Sequence, residues 1–545
     1  RLPVNQINSI LKRLRELGFV ALPPQQRRKA TYYIVSERVF RIWHQMRFSA
    51  ASRRKLEFLI EFVRIWYTAQ EWSSEADRLM QEYLKAATGR RFEEAGRFVE
   101  HLAYLAEAAP EPQKGHELAD RTVRACIESG DFPRAERLLE ERLASHSAQG
   151  DNARLAEDWF LKAYLSYAQG RWDDVIAELG QAVHFKPTFH DALGNWGAAL
   201  TGLAVTKTGE ERDRLFRQAF EKCEAAVKVK PDMHEALNNW GVALAGLAVT
   251  KTGEERERLF RQAAEKYEAA VKVKPDMHEA LNNWGIALTN LAATKTGGER
   301  ERLFQQAAEK CEAAVKVKTD MHDALANWGG ALMEMASSKT GPEQQRLLQQ
   351  AADRFEAALK VKPNDPDMLY QWGVALADMG LGETGRQQER LLAAASDKLD
   401  QAINISAQAV PSQSRDLWAV QFVQVALARC AHALDANNVG HARSLFIAAL
   451  DRLSGAEHAS AKNEMLFFFR WATHETRADS CAELFSLMRE RKMERELALL
   501  EPFVLAVEYW QKGKDAQVLD RLNPELRQLV EAIIKGPAAK KEDSR

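Results

Sequence analysis

Tryptophan followed by glycine recurs at Trp196, Trp240, Trp284, Trp328 and Trp372, a strict period of 44 residues. Self-similarity at such a period restricts the fold more than any composition does, because each copy has to be the same supersecondary unit. Residues 231–274 and 275–318 differ at seven of 44 positions, both running PDMHEALNNWG, TKTG, ERERLF and EAAVKVK. Within a unit, Ala236, Leu237, Trp240, Leu244 and Leu247 fall at three- and four-residue steps, which predicts an amphipathic helix, here helix A. A Lys251-Thr252-Gly253 turn follows, and Leu259, Ala263, Tyr267, Ala270 and Val271 predict helix B, ended by Pro275. One such hairpin cannot bury its apolar stripe alone, so copies have to stack, and the expected fold class is all-α.

The pattern resembles the tetratricopeptide repeat: a large residue then Gly in helix A (Trp240, Gly241), Leu244 three further on, and Ala263, Tyr267, Ala270 and Pro275 at the family's second-helix spacing. It departs in length, since that family's period is about 34 residues, so both helices are expected to be about one turn longer. A 34-residue version stands just upstream, at Trp159, Ala163, Gly170, Ala182 and Pro187. The resemblance implies a right-handed solenoid whose concave surface, lined by A helices, binds an extended protein or peptide partner. It places the residue before each Trp in that groove: Asn195, Asn239, Asn283, Asn327 and Gln371. Such a ladder of amides offers donors and acceptors to a peptide backbone. The acids Asp191, Glu235, Glu279 and Asp323 sit four positions earlier on the same face, and lysines that would capture a C-terminal carboxylate are missing there. Three of the seven differences between the near-identical copies, Val242/Ile286, Ala245/Thr289 and Gly246/Asn290, are predicted at the groove or its rim, as tuning for a ligand would require.

The expected organisation is a partial winged-helix domain over 1–72, degenerate repeats over 73–155, the array over 156–405, a helical capping region over 406–535 and a charged tail over 536–545. Residues 1–70 hold 14 Lys and Arg against four Asp and Glu, an excess of 14 − 4 = +10, although the whole chain is nearly neutral. A helix over Asn5 to Leu17, an apolar run Phe19 to Leu22, a basic turn and Tyr32 to Val35 read as helix then β-hairpin. With YYIVSERVFRIWHQMR, this stretch resembles the winged-helix domain that follows the nucleotide-binding core in prokaryotic signal-transduction P-loop ATPases. The resemblance implies an ATPase domain upstream, with this chain as its regulatory half; no GxxxxGK[ST] occurs here. The alternative is a DNA-binding regulator, with Asn5, Asn8, Lys12, Arg13 and Arg15 along a groove helix and Arg27, Arg28 and Lys29 in the wing.

Other signals have blander explanations. The Lys-Thr-Gly triplets at 207, 251, 295 and 339, with Ser52-Arg53-Arg54-Lys55, mimic a penicillin-recognising serine enzyme, but four copies in equivalent turns are helix punctuation. His190, His234, His278 and His322 recur once per repeat, at a stacking distance of roughly 10 Å, too far apart to share zinc. Cys223 and Cys311 replace Tyr267 and Phe355 of sister repeats and are expected in the core. The five cysteines, none in CxxC spacing, indicate a reducing, cytoplasmic setting. No catalytic constellation, metal site or cofactor motif is found, and no run of about 20 apolar residues spans a bilayer.

Overall fold

The 44-residue copies at Trp240, Trp284 and Trp328 fold as the periodicity requires, each into two antiparallel helices joined at the Lys-Thr-Gly turn. The computed structural model describes residues 67–535 except 407–411, 437, 454–458, 492 and 516, together with Val20, Ala21, Ile34, Val35 and Ile60. The chain divides into two compact units, Arg1–Gly202 and Leu203–Arg545.

In the first unit, strands β1 (Val20–Ala21) and β2 (Ile34–Val35) pair antiparallel, Val20 opposite Val35 and Ala21 opposite Ile34. This pairing falls inside the two apolar runs read as a hairpin. The proposed DNA-contacting side chains, Asn5 to Arg15 and Arg27 to Lys29, lie outside the described residues. Helices α1 (Ala69–Thr88), α2 (Phe92–Glu107), α3 (Pro112–Glu128), α4 (Phe132–Gln149), α5 (Asn152–Ala168) and α6 (Trp172–Phe185) follow as hairpins, and α7 (His190–Thr206) begins the next. A capping box starts α1: Glu71 N–H donates to Thr68 Oγ1 at 3.2 Å, and Thr68 N–H donates to Glu71 Oε2 at 2.9 Å. Trp72, Tyr83, Leu102 and Leu139 fill the core of α1 to α5.

A charged cluster is buried beside that core. Asp158 of α5 is fully buried, with two residues of α4 against it: Arg142 Nη2 lies 2.7 Å from its Oδ1, and His146 Nδ1 is hydrogen-bonded to its Oδ2 at 2.5 Å. The same Arg142 nitrogen donates to Asp120 of α3. Burial pushes the Asp158 carboxyl above the usual carboxylate range, against the pull of Arg142 and His146.

In the second unit, A helices α9 (His234–Val249), α11 (His278–Ala292), α13 (His322–Ala336) and α15 (Pro366–Leu381) alternate with B helices. The B helices are α8 (Gly209–Val229), α10 (Gly253–Val273), α12 (Gly297–Val317), α14 (Gly341–Val361) and α16 (Gly385–Ser406). Each A helix packs on the B helix before it and on the one after it, and neighbouring A helices touch. The glycine after each tryptophan makes the close approach possible. A Cβ on Gly241 would lie 2.6 Å from the Tyr267 ring, and one on Gly285 2.4 Å from Cys311 Sγ. Cys311 is buried in this seam and Cys223 is buried on α8, and burial pushes both thiols up to about 12, which suits core fillers and not nucleophiles.

The turn between the helices is a stacking device as well as a stop signal. Gly253 opens α10 at φ 58°, in the left-handed region that disfavours a Cβ. Thr252 occupies the N-cap position without a side-chain cap bond, and Glu254 and Glu255 face the positive helix end. The lysine reaches back to the preceding B helix: Lys251 pairs with Asp213, Lys295 Nζ lies 2.7 Å from Glu257 Oε1, and Lys339 Nζ 2.5 Å from Glu301 Oε1. Nothing lies within 4 Å of a Cβ built on Gly253, so Gly253→Ala acts through the backbone alone. It is expected to destabilise by about 1 kcal/mol, read as a shift of the urea midpoint with unchanged slope.

Beyond the hairpins come α17 (Ser412–Asp435), α18 (Val439–Leu453), α19 (Ala459–Ala472), a 3-10 turn at Glu475–Arg477, α20 (Ala478–Glu490) and four shorter helices, α21 (Glu494–Leu499), α22 (Glu501–Gln511), α23 (Gln517–Asp520) and α24 (Pro524–Lys535). Helix α17 is long and apolar enough to cross a bilayer by length and composition. It packs against α16, α18 and α19, with Trp418, Phe422, Val423 and Leu427 buried. Phe468 and Phe469 of α19 are core, Phe469 stacking on Phe485 with centroids 4.5 Å apart.

Candidate functional site

Because the hairpins of the second unit spend most of their apolar stripes on one another, what remains exposed on the A helices is mainly polar and recurs repeat after repeat, with Val249 and Leu381 exposed at helix ends. The amides before the tryptophans do not all stay free. Asn283 Nδ2 donates to Asn238 Oδ1 of the preceding A helix at 3.2 Å, and Asn327 Nδ2 to Asn282 Oδ1 at 3.0 Å. The acceptors are buried, Asn238 being 9% and Asn282 5% exposed. These bonds tie α9 to α11 and α11 to α13. Ala326 stands where those acceptors would be for Gln371, and among the described residues neither Asn239 nor Gln371 makes such a bond. Asn195 is exposed on α7 in the first unit.

The acids of the first turn serve their neighbours. His234 Nε2 lies 2.9 Å from Glu235 Oε1, His278 Nε2 3.1 Å from Glu279 Oε1 and His322 Nε2 3.2 Å from Asp323 Oδ1. More than half of each carboxylate side chain remains exposed. The histidine ladder is thus a set of local pairs. Among the described residues no group of His, Cys, Asp and Glu could hold a metal ion.

Three of the positions that distinguish the two near-identical copies lie two and three turns further along the A helix. Val242, Ile286 and Thr289 are half-buried. Asn290 Nδ2 donates to the Ile286 carbonyl of its own helix at 2.9 Å. Gly246 meets the Phe216 ring of α8, where a Cβ would come within 2.4 Å. The Gly246/Asn290 difference therefore has a packing side: the position abuts the previous B helix as well as the rim.

Trp240, Trp284, Trp328 and Trp372 turn the other way, toward the B helices, and each lies under a cation. Lys266 Nζ is 3.8 Å from the Trp240 ring centroid, Lys310 Nζ 3.9 Å from Trp284, the Arg354 guanidinium 4.2 Å from Trp328 and Lys398 Nζ 4.9 Å from Trp372. Such contacts add to packing by about 0.5–1 kcal/mol when exposed and more when desolvated. Sequence reasoning missed them although the signal was available, since a Lys or Arg immediately precedes the core residue 267, 311, 355 or 399 in every copy. A cleft of about 400 Å³ lies here between α12 and α14, floored by Trp328, Leu332 and Met335.

The first unit has a pocket of its own that no motif announced. About 400 Å³ in volume, it is walled by Phe160, Tyr164 and Tyr167 of α5, Trp172 of α6 and Asn195 of α7, with Arg124 of α3 alongside. Tyr167 is 56% exposed and meets Trp172 edge to face, centroids 5.4 Å apart. Apolar walls with few polar groups at the rim are what a side chain of a bound polypeptide enters.

Residues 210–298 and 298–365 match the family model for the plant specific mitochondrial import receptor subunit TOM20, less than a third of the chain. No curated protein matches the sequence. Solved structures similar to the chain include a thermophilic TPR protein of Thermus thermophilus, 18% identical over 41% of this chain and 98% of that one, TM-score 0.31. Another is YrrB, a TPR protein with an unusual peptide-binding site, at 16% identity over 42% and 93%, TM-score 0.29. A third is a tetratricopeptide repeat protein of Parabacteroides merdae, at 13% identity over 57% and 98%, TM-score 0.33.

Proposed function

We propose that this chain of tetratricopeptide-like hairpins is a recognition scaffold that binds a protein or peptide on the A-helix face of its second unit, and that it performs no chemistry of its own. The observation that carries this reading is the polar A-helix face, where amides and carboxylates recur at each repeat while every buried apolar stripe is consumed between hairpins. The aromatic pocket of the first unit supports the same role. So does the match of residues 210–298 and 298–365 to the family model of an import receptor subunit.

The test is a photo-crosslinking amino acid placed at Ile286 on the A face or at Gln262, exposed on α10. A partner captured from host lysate at 286 and not at 262 supports the scaffold reading; equal capture, or none at 286, removes it. The amides separate recognition from packing. Asn283→Ala leaves buried Asn238 without its donor and is expected to cost about 1–2 kcal/mol of stability. Asn239→Ala is expected to stay within about 0.5 kcal/mol and to weaken partner capture, as urea melts beside the crosslinking assay will show.

On the resemblance of residues 1–70, the scaffold is the regulatory part of a larger cytoplasmic P-loop ATPase, whose turnover should change when the partner binds. An unchanged turnover would leave the scaffold reading and remove this one.

A further inference from the structure

The sign of the charges on the A helices says more about the partner. Helices α9, α11, α13 and α15 contain no lysine and no arginine, yet hold six carboxylates: Glu235, Glu279, Asp323, Glu334, Asp367 and Asp378. The lysines and arginines of these hairpins sit on the B helices and turns, and many of them are engaged there. Lys266, Lys310, Arg354 and Lys398 cover the tryptophans, and Lys251, Lys295 and Lys339 bind the preceding B helix. Positive charge is therefore confined to the B helices and turns, where it is balanced by carboxylates, while the A helices carry negative charge alone; a surface of one sign raises the local concentration of the other.

The face is most developed on α15. Asp367, Tyr370, Gln371, Val374 and Asp378 follow at steps of three and four residues, so they share one side of the helix. Tyr370 is held by stacking on Trp418, centroids 5.3 Å apart and planes 18° from parallel. Asp367 and Asp378 are exposed, while the protein crowding round Asp378 pushes its carboxyl above the ordinary range. Glu334 of α13 already binds Arg300 at 2.8 Å. Lys362, whose charge feels Asp367, is bound to Asp365 at 2.7 Å. Among the described residues no cation is paired with Asp367 or Asp378. An aromatic ring, an amide and two such carboxylates on one helix face suit an ammonium or guanidinium group on a backbone that the amide can bind.

We infer that the partner of this face is an extended, lysine- or arginine-rich polypeptide segment, with α15 as its principal docking helix. The inference rests on the scaffold reading and names the chemistry of its ligand. Electrostatic complementarity of this kind sets selectivity and association rate and is weakened by salt.

The test uses the full chain and three labelled 14-residue peptides that alternate threonine with lysine, serine or glutamate, titrated by fluorescence anisotropy at low and moderate salt. The lysine peptide is expected to bind about tenfold or more tighter than the serine peptide, with the glutamate peptide weakest and salt narrowing the gap. Asp367→Asn with Asp378→Asn is expected to weaken the lysine peptide about fivefold or more. Glu312→Gln, on the B layer, should change nothing, and circular dichroism melts verify that the variants fold. Equal affinity for all three peptides, no binding of any, or indifference to the α15 substitutions overturns the inference. A serine peptide that binds as tightly as the lysine peptide would overturn it while leaving the scaffold reading intact.

Discussion

Replacing Asp158 with alanine is expected to cost the first unit about 3 kcal/mol or more, as does breaking a buried ion pair from one side. Asp158 is fully buried, and its two oxygens face Arg142 and His146 of α4. Without it the Arg142 guanidinium, only 14% exposed, keeps Asp120 as its counter-charge, which holds the loss to the lower end of the range. Its Nη1 already has no hydrogen-bond partner. Urea unfolding should show the shift, and hydrogen exchange should rise in α3, α4 and α5 first. A loss below about 1 kcal/mol would mean that the cluster is solvated in solution and does not hold these helices together.

Phe260→Ala is expected to cost about 3–5 kcal/mol, the range for removing a buried ring whose surroundings collapse only partly. Phe260 is 1% exposed and lies under the Arg256 guanidinium, 5.6 Å from its ring centroid. The equivalent Phe216 fills its site so tightly that Gly246 of the next A helix has no room for a Cβ. A stack of hairpins couples each copy mainly to its neighbours. The damage should therefore appear as lost exchange protection in α9, α10 and α11, with α17 to α20 little affected. A uniform loss of protection would show that the unit unfolds as one cooperative block.

Much of this was legible in the sequence because it is local and repeated. The 44-residue period, the spacing of Leu244, Ala263, Tyr267 and Ala270, and the Gly253 turn each follow from helix geometry, so they predicted the hairpins and the seam between them. The charge asymmetry between A and B helices was equally legible, being a property of composition along each helix. The proposed amide ladder shows where such reading stops. Spacing put Asn239, Asn283, Asn327 and Gln371 at equivalent positions, but whether an amide is free depends on what the neighbouring hairpin presents at 238, 282 and 326.

What the sequence by itself determined is the repeat and its pairing of helices, since helical period and chain reversal act over a few residues. What the tertiary structure decided is how each recurring side chain is used. Two ladder asparagines each bind the asparagine beside the preceding ladder position, the turn lysines clamp the preceding B helix, the tryptophans turn toward the B helices under cations, and Arg142 joins three helices. The asparagine and lysine contacts span 38 to 45 residues of chain, and no local pattern encodes them. Charge neutralisation and hydrogen-bond satisfaction in a desolvated seam are settled only when the two surfaces meet.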